Sequence, residues 1–292
     1  IQQLQADKSL NNSIKALILT PTRELALQIS ECIDDYAKYT QVCHGVIFGG
    51  VNQRTQVNML HKGVDILVAT PGRLLDLMNQ GYVRLNNIQH FVLDEADRML
   101  DMGFINDMRL LLGVLPRERQ TLFFSATLSY DIKNIINEFL HDPVSISVKT
   151  SDTARAVDQD VVYVKADTKI DLLHDLLLKP ECSKVLIFGR TKYGVEKLSS
   201  VLAARGFKAE SIHGNKNHTQ RQRALAQFKD NRSQILVATD VAARGLDIPN
   251  VSHVINYELP ATYEDYIHRI GRTGRAGKAG KALTFVEERG GR

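Results

Sequence analysis

The sequence predicts an α/β protein built from two tandem parallel-sheet domains. Short apolar runs alternate with longer amphipathic stretches, the alternation stops at a polar segment near the middle of the chain, and it then starts again. With 292 residues, the chain is long enough for two domains of ordinary size. Its 43% hydrophobic and 24% charged residues match a globular protein, which excludes disordered and fibrous classes.

The first half of the chain contains five apolar runs and an amphipathic stretch at residues 23–39 that predicts a helix. The runs, which predict buried strands, lie at residues 16–19, 46–48, 66–69, 91–93 and 122–124. Strands that are apolar throughout are typical of a parallel sheet covered by helices on both faces. We therefore expect a first domain over residues 1–148.

The polar stretch at residues 149–155 lacks apolar periodicity and predicts a linker, which we place at residues 149–157. The second domain is expected over residues 158–292, where the alternation restarts. Its predicted strands are residues 161–164, 185–188, 235–238 and 251–257, and its predicted helices are residues 171–178, 195–205 and 219–228.

Composition limits the possible partners and compartments. Three scattered cysteines are too few for a disulfide framework or a Cys-x-x-Cys metal site, so we expect reduced thiols and a cytoplasmic protein. No apolar run approaches the ~18 residues that a membrane helix needs, so no membrane partner is expected. Residues 1–148 carry a net charge of −3 and residues 149–292 a net charge of +7. This asymmetry favours a polyanion partner for the second half, although a merely solvated basic face fits the charge as well.

The strand at residues 91–93 runs directly into Asp94-Glu95-Ala96-Asp97. Ligands of parallel sheets bind at the carboxyl ends of the strands. One carboxylate there can hold hydrated Mg²⁺, and the next can orient or deprotonate an attacking water, as nucleotide hydrolysis requires. On this feature alone, a solvated acidic turn is an equally good interpretation.

Two other strands lead into Thr-Pro sequences, at residues 20–23 and 70–73. Threonine at the N-cap followed by proline at the first helical position is a good helix start. Free N–H groups there, with Arg23 or Arg73 nearby, can hold a phosphate, whereas each Thr-Pro by itself is also explained as a simple cap. Gly49-Gly50 allows close backbone approach after a third strand. Together they favour a track for a phosphate backbone.

Two segments of the second half concentrate functional side chains. Residues 268–275 hold three arginines and two glycines, which suits phosphate binding and the stabilisation of charge in phosphoryl transfer. A basic loop that touches nucleic acid is the alternative. Residues 239–247 gather a hydroxyl, carboxylates, an arginine and a glycine after a strand, which suits a sugar-phosphate chain and a nucleotide, or an ordinary turn. Ser125-Ala126-Thr127 ends another strand and is uninformative alone.

Taken in order, these segments resemble the motifs of the DEAD-box family of ATP-dependent RNA helicases, in superfamily 2. The resemblance covers essentially the whole chain and implies two tandem RecA-like domains. Two stretches, residues 97–104 and 213–216, are most similar to the bacterial RhlE-type subgroup. The matching segments are residues 21–28, 49–50, 70–73, 94–97, 125–127, 187–191, the pair Gln220 and Arg223, and residues 239–247 and 268–275.

The resemblance implies a role for each matching residue, with ATP and Mg²⁺ as cofactors and RNA as partner. Asp94 would hold Mg²⁺ through water, Glu95 would activate the attacking water, and Arg272 and Arg275 would be arginine fingers. Asp247 and Gly245 would contact the nucleotide, Asp247 at the ribose. Coupling of hydrolysis to unwinding would involve Asp97, Ser125, Thr127 and His268. The RNA backbone would be lined by Thr22, Arg23, Gly50, Thr70, Arg73, Arg190, Arg223 and Thr239.

The sequence departs from the family in one respect: it contains no G-x-x-x-x-G-K-[ST] phosphate loop. The family carries that loop upstream of its first RNA motif, so we expect a first domain without its N-terminal strand and phosphate loop, and with an exposed apolar sheet edge. The leading hypothesis is a fragment of an active helicase that alone binds ATP poorly. The alternatives are a non-catalytic RNA-binding or scaffold protein and a related enzyme acting on DNA. Ribosome-assembly or RNA-decay partners are possible under the leading hypothesis.

Overall fold

A computed structural model describes residues 1–6, 13–147, 157–165, 167–243, 246, 248–274 and 280–288. Its contacts divide the chain into two units, Ile1–Ser145 and Ile146–Arg292, which are described separately. Each unit is a parallel sheet with helices, which confirms the predicted fold class. The predicted linker lies outside the described residues except for Val157, which begins a strand.

The first unit contains five strands and seven helices among its described residues. The strands are β1 (Ala16–Leu19), β2 (His44–Ile47), β3 (Ile66–Ala69), β4 (His90–Leu93) and β5 (Gln120–Phe123). The helices are α1 (Gln2–Ala6), α2 (Arg23–Ala37), α3 (Gln53–Lys62), α4 (Pro71–Asn79), α5 (Ala96–Asp101), α6 (Ile105–Val114) and α7 (Tyr130–Phe139).

The strands of the first unit are all parallel and lie in the order β2-β3-β1-β4-β5. Strand β3 is buried along its whole length, as its unbroken apolar sequence predicts. A large apolar cluster packs on one face of the sheet, and a smaller one with Leu4, Ala26 and Ile33 packs under α2 on the other.

Strand β5 departs from the expectation of buried strands. It lies at the end of the sheet order, and its side chains alternate between exposed and half-buried. Leu122 is 42% exposed and Phe124, just after the strand, is 53% exposed. An outer strand keeps a row of backbone groups that no neighbouring strand pairs, so β5 is an apolar sheet edge of the kind expected from the sequence.

The start of α2 confirms the helix predicted from residue 23 and corrects the interpretation of Thr20-Pro21 as its cap. The predicted N-cap was Thr20 with Pro21 as first helical residue, but the helix begins at Arg23 and Thr22 is its N-cap. The Thr22 hydroxyl accepts from the backbone N–H of Leu25 at 3.3 Å, while the Thr20 hydroxyl donates to the Thr22 carbonyl. Thr22 provides the cap because its backbone is extended and its oxygen reaches the first turn.

The second unit contains six described strands and five described helices. The strands are β6 (Val157–Val164), β7 (Val185–Gly189), β8 (Ala209–Ile212), β9 (Ile235–Thr239), β10 (His253–Asn256) and β11 (Gly280–Glu287). The helices are α8 (Lys169–Leu177), α9 (Lys192–Ala204), α10 (His218–Lys229), α11 (Asp240–Ala243) and α12 (Tyr263–Ile270).

The second sheet is also parallel, in the order β6-β11-β10-β7-β9-β8. Strands β7, β9 and β10 are buried throughout and form its centre. Strand β8 was not predicted, because Ala209-Glu210-Ser211-Ile212 lacks the apolar run of its neighbours. Among the described residues, none of the helices combines the length and apolarity needed to span a membrane.

Candidate nucleotide and RNA sites

The carboxyl ends of the first sheet's strands lie at one level. The register pairs Leu19 with Ala69 and with Leu93, and it pairs Leu93 with Phe123. The loops that follow these strands therefore share one edge. Strand order places the glycine pair and both Thr-Pro segments on one half of this edge, and the acidic motif and Ser125 on the other.

Asp94 and Glu95 lie at the end of β4, where the backbone makes an unusual turn. Glu95 has φ 50° and ψ 51°, a left-handed conformation that costs a residue other than glycine about 1–3 kcal/mol and is typical of functional sites. The Glu95 N–H donates to Asp94 Oδ1 at 2.9 Å. Burial raises the pKa of Asp94, and the nearby Asp97 charge raises it further, against the lowering effect of that hydrogen bond.

The predicted coupling residues Asp97, Ser125 and Thr127 meet across the ends of β4 and β5. Asp97 Oδ2 accepts from the Thr127 backbone N–H at 3.1 Å and from its hydroxyl at 3.2 Å. The Ser125 hydroxyl donates to the Thr127 carbonyl at 2.8 Å. Because Asp97 is buried, these bonds hold the turn after β5 firmly to α5.

On the other half of the edge, Arg23 lies against Gly50. A Cβ atom at Gly50 would lie 2.5–2.7 Å from three guanidinium atoms of Arg23, and Gly50 has φ +78°. Only glycine accepts both the crowding and the positive φ without strain. The guanidinium forms no hydrogen bond or ion pair with the residues that the structure describes, so its donors remain available for a ligand.

Arg73 instead supports the loop that follows β2. Its Nη2 donates to the Val51 carbonyl at 3.0 Å, and its Nη1 donates to Gln56 Oε1 at 3.1 Å. Gln56 is buried and also bonds both backbone groups of Phe48. Thr70 is the N-cap of α4, as predicted, although its side chain makes no capping hydrogen bond.

At the edge of the second sheet, Glu258 connects two strand ends. Its Oε2 accepts from the backbone N–H of Arg190 at 2.5 Å, and its carbonyl accepts from Arg269 Nη1 at 2.6 Å. A Cβ atom at Gly189 would lie 3.3 Å from the same Oε2, so glycine allows the carboxylate to approach the turn. The Arg190 side chain is exposed.

Arg269 is almost completely buried, at 1% exposure, and all of its bonds are internal. Nε and Nη2 donate to the two carboxylate oxygens of Asp240 at 2.6 and 2.7 Å. Nη1 also donates to Asn256 Oδ1, and the guanidinium lies 5.0 Å from the centre of the Phe188 ring. Arg269 and Asp240, both in segments singled out from the sequence, are therefore structural residues that hold α12 to the ends of β9 and β10.

Arg272 follows α12 and binds the segment after β9. Its Nη1 donates to the Leu246 carbonyl at 2.8 Å, and its Nε donates to the His268 carbonyl at 3.3 Å. The segments at residues 239–247 and 268–275, both predicted from the sequence, therefore meet in this unit. The predicted site residues Gly245, Asp247 and Arg275 lie outside the described residues.

The remaining predicted RNA residues of this unit lie on or next to central elements. Thr239 is buried and ends β9, while Arg223 is exposed on α10. Gln220, paired with Arg223 in the sequence analysis, forms a capping box with Asn217 at the start of α10. Nearby, Glu196 Oε2 accepts from Ser211, His213 and Lys216 at 2.5, 2.9 and 3.2 Å. These bonds, the Ser211 hydroxyl first, lower the pKa of Glu196 to about 2.

Comparison with known proteins assigns both units. Residues 1–135 match the DEAD/DEAH box helicase family and residues 168–277 match the helicase conserved C-terminal domain. The chain is similar to Dbp5 of S. cerevisiae bound to RNA and ADP BeF3, with 32% identity, a TM-score of 0.81, and coverage of 95% of this chain and 72% of that one.

The chain belongs to the DEAD-box helicase family. Among curated DEAD-box proteins, it is 46% identical to the ATP-dependent RNA helicase CshA of Listeria monocytogenes over 96% of this chain. It is 44% identical to the RNA helicase CrhR of Synechocystis over 94% of this chain. It spans about half the length of these relatives, 54% and 56% respectively. Because these relatives carry other names, the RhlE-type subgroup stays a prediction.

The family assignment defines what sequence reasoning missed. In the first unit, Gln56 bonds Phe48 and Arg73, and in the second unit, Glu258 bonds Arg190 and Arg269. Neither Gln56 nor Glu258 lies in a segment singled out from the sequence. Glu258 follows the apolar run that ends at residue 257, so the rule that placed Asp94 at a strand end would have found it. Gln56 is a helical glutamine among polar neighbours and carried no such signal.

Proposed function

We propose that this chain forms the two-domain core of an ATP-dependent RNA helicase that unwinds short RNA duplexes by ATP-driven domain closure on the RNA backbone. The observation that carries the proposal is the shared edge of the first sheet. Acids suited to nucleotide hydrolysis, Asp94 and Glu95, lie on one half, and available backbone-binding groups, Arg23 and Gly50, lie on the other. The names of CshA and CrhR, and the RNA in the Dbp5 structure, support it.

Asp94 suits a magnesium ion that is bound largely by water and phosphate. Its raised pKa shows that the ionised carboxylate is disfavoured where it lies, and a bound cation would stabilise it. In the described residues, no group of three or more His, Cys, Asp or Glu could enclose a metal. Mg²⁺ commonly needs only one or two carboxylates beside nucleotide phosphates and water. When bound, it neutralises charge on the phosphates, and Asp94 would hold it through water.

Glu95 is placed to act on the attacking water. Asp94 Oδ1 accepts from the Glu95 N–H, whereas Glu95 Oε2 lies 3.5 Å from Arg98 Nε. The two carboxylates therefore have different partners at one strand end, and we assign one to the metal and the other to the water. Glu95 would accept a proton from that water as it attacks the terminal phosphate. Asp97, Ser125 and Thr127 then connect this turn to the end of β5, where a change at the nucleotide could be transmitted.

The RNA-binding groups point to contact with phosphate and sugar. Arg23, Gly50, Thr22 and Thr70 lie at the first sheet's edge, and Arg190, Thr239 and Arg223 lie in the second unit. The family resemblance assigns all of these residues to the sugar-phosphate backbone, so we expect little sequence specificity. We expect Arg73 to contribute to RNA binding in two ways, by holding the loop at Val51 and by its own contact with the RNA backbone. The family resemblance also assigns Arg272, Arg275 and Asp247 to contact with the nucleotide.

RNA-stimulated ATP hydrolysis tests the proposal, measured for this chain beside a version extended upstream to include a phosphate loop. We expect activity only in the extended version. Inactivity of an extended version that does contain the loop would contradict the helicase proposal.

An RNA-binding scaffold, the second candidate, predicts RNA binding without hydrolysis in either protein, but it offers no reason for Glu95 and Arg272 to be present. Competition between RNA and DNA for binding to the protein distinguishes an RNA helicase from a related enzyme that acts on DNA, since only RNA offers 2′-hydroxyl groups.

The proposal extends to location and partners. The described cysteines are free thiols, which supports a cytoplasmic protein. An enzyme that binds RNA without sequence specificity would be directed to its RNA substrate by partner proteins that act in ribosome assembly or RNA decay. Fractionation of cells and co-purification with and without ribonuclease treatment would test both parts.

A further inference from the structure

Glu258 connects the turn at Arg190 to helix α12. Its carboxylate holds the backbone of Arg190 at the end of β7, and its carbonyl holds Arg269 on α12. Helix α12 also carries His268, and Arg272 lies two residues beyond its end. Two expected functional groups, the exposed Arg190 guanidinium and Arg272, are thus oriented through one residue.

The local packing shows that this connection is specific. Gly189 leaves room for the carboxylate, since a Cβ atom there would lie 3.3 Å from Glu258 Oε2 and 2.9 Å from Val195 Cγ2. Arg269 is fixed from the other side by both oxygens of Asp240, which directly follows Thr239. The ends of β10, β7 and β9 are therefore joined by bonds that converge on Glu258 and Arg269.

We propose that Glu258 is a positioning residue for RNA binding, which sets the direction of Arg190 relative to α12. The inference rests on the proposed function, because it takes Arg190 as an RNA contact. A carboxylate that merely lies near RNA repels phosphates, so its removal should strengthen binding. A carboxylate that holds an RNA-binding turn should weaken binding when it is removed. The two explanations therefore predict opposite signs.

The test measures the binding of a fluorescein-labelled single-stranded oligouridine to this chain by anisotropy. We expect Glu258→Ala to weaken binding about tenfold or more, as the loss of one charge-assisted hydrogen bond gives. Glu258→Gln keeps an acceptor oxygen and should bind within about twofold of the unmodified chain. The matched control is Glu264→Ala, an exposed glutamate on α12, which should bind RNA equally well or slightly tighter.

Two further measurements keep the result interpretable if the alanine variant is poorly folded. Gly189→Ala displaces the carboxylate without removing charge, and it should also weaken RNA binding. Hydrogen exchange of the Arg190 amide should be slow in the unmodified chain and in Glu258→Gln, and fast in Glu258→Ala. Equal or tighter binding by Glu258→Ala, or unchanged Arg190 exchange, would overturn the inference. If the unmodified chain binds no RNA, the proposed function itself fails.

Discussion

Asp97 accepts two hydrogen bonds from Thr127, one from the backbone N–H and one from the hydroxyl, although thirty positions separate them in the sequence. The pair joins the acidic motif after β4 to the hydroxyl motif after β5. The two motifs in the nucleotide half of the proposed site are therefore connected by hydrogen bonds, so a displacement at the end of β4 should displace the end of β5 as well.

Removal of the Thr127 hydroxyl should destabilise the first unit. We expect Thr127→Val to lower its free energy of unfolding by about 1–3 kcal/mol, because buried Asp97 loses a donor that nothing replaces. Thr127→Ser keeps the donor and should stay within about 0.5 kcal/mol of the unmodified chain. Urea unfolding followed by circular dichroism measures both. Equal stabilities for valine and serine would show that the backbone bond alone is sufficient.

Glu95→Gln should separate hydrolysis from binding. In a version of the chain extended to include a phosphate loop, we expect the hydrolysis rate to fall by about 10²–10⁴-fold, since an amide cannot accept the proton of the attacking water. ATP and RNA should still bind, which equilibrium binding to each ligand would measure. Glu31→Gln on the exposed side of α2 is the control and should hydrolyse normally. Near-normal hydrolysis by Glu95→Gln would remove Glu95 from the proposed role.

Arg23 and Arg73 should differ in their effect on the salt dependence of RNA binding. Both alanine variants should weaken binding on all RNA sequences. Arg23→Ala should also reduce the slope of log K against log salt by about 1, because its guanidinium is available for a phosphate. Each of the three guanidinium nitrogens of Arg73 already has a partner, in Gln56, Val51 and Asp76, so Arg73→Ala should change the slope less. A loss confined to one RNA sequence would indicate base reading instead.

Arg269 should be essential for the stability of the second unit. We expect Arg269→Ala to cost about 3–5 kcal/mol, because it leaves Asp240 without its bidentate partner in a largely buried site. Arg269→Lys should recover little, since one ammonium cannot reproduce the fork. Arg232→Ala, which breaks an exposed ion pair with Asp230, should cost less than about 1 kcal/mol. Thermal unfolding that ranks Arg232→Ala with Arg269→Ala would contradict this assignment.

Glu196 should give the second unit an acid-sensitive component of stability. Its pKa is lowered from 4.5 to about 2 by Ser211, His213 and Lys216, so the folded state binds this proton less readily than the unfolded state. The stabilisation is therefore complete above about pH 4.5 and is lost as the pH falls towards about 2. Urea unfolding at several pH values should show that the free energies of unfolding of Glu196→Gln and of the unmodified chain converge as the pH falls through that range. A constant difference at all pH values would contradict the linkage.

The sequence predicted much of the fold because its central strands are apolar throughout and its motifs follow them directly. Strands such as β3 and β9 were therefore placed within a residue or two. Strand β8 was missed because its position in the sheet is determined by pairing with β9 rather than by its own composition. The N-cap of α2 was misplaced because two threonines flank Pro21, and only tertiary structure decides between them.

The site was predictable by residue type and only partly by role. Asp97, Ser125 and Thr127, to which the family resemblance gives a coupling role, meet in the structure. Arginines are harder to assign, because a guanidinium that binds phosphate and one that holds a buried carboxylate have the same sequence signature. Arg23 keeps its donors available, whereas Arg269 and Arg73 use theirs within the fold. That distinction depends on distances that no spacing rule supplies.

The position of β5 at the end of its sheet gives the first unit a direction in which it opens. Strand β1 is flanked by β3 and β4, whereas β5 has β4 as its described neighbour, and β5 is more exposed than β2 at the other end of the sheet. Transient fraying should therefore begin at β5 and reach β1 last. The water-activating half of the proposed site would then lie beside the most labile strand, while Arg23 and Thr70 of the RNA-binding half follow β1 and β3, which each have a strand on both sides. On mild heating, the residues proposed for hydrolysis would therefore lose their arrangement before those proposed for RNA binding.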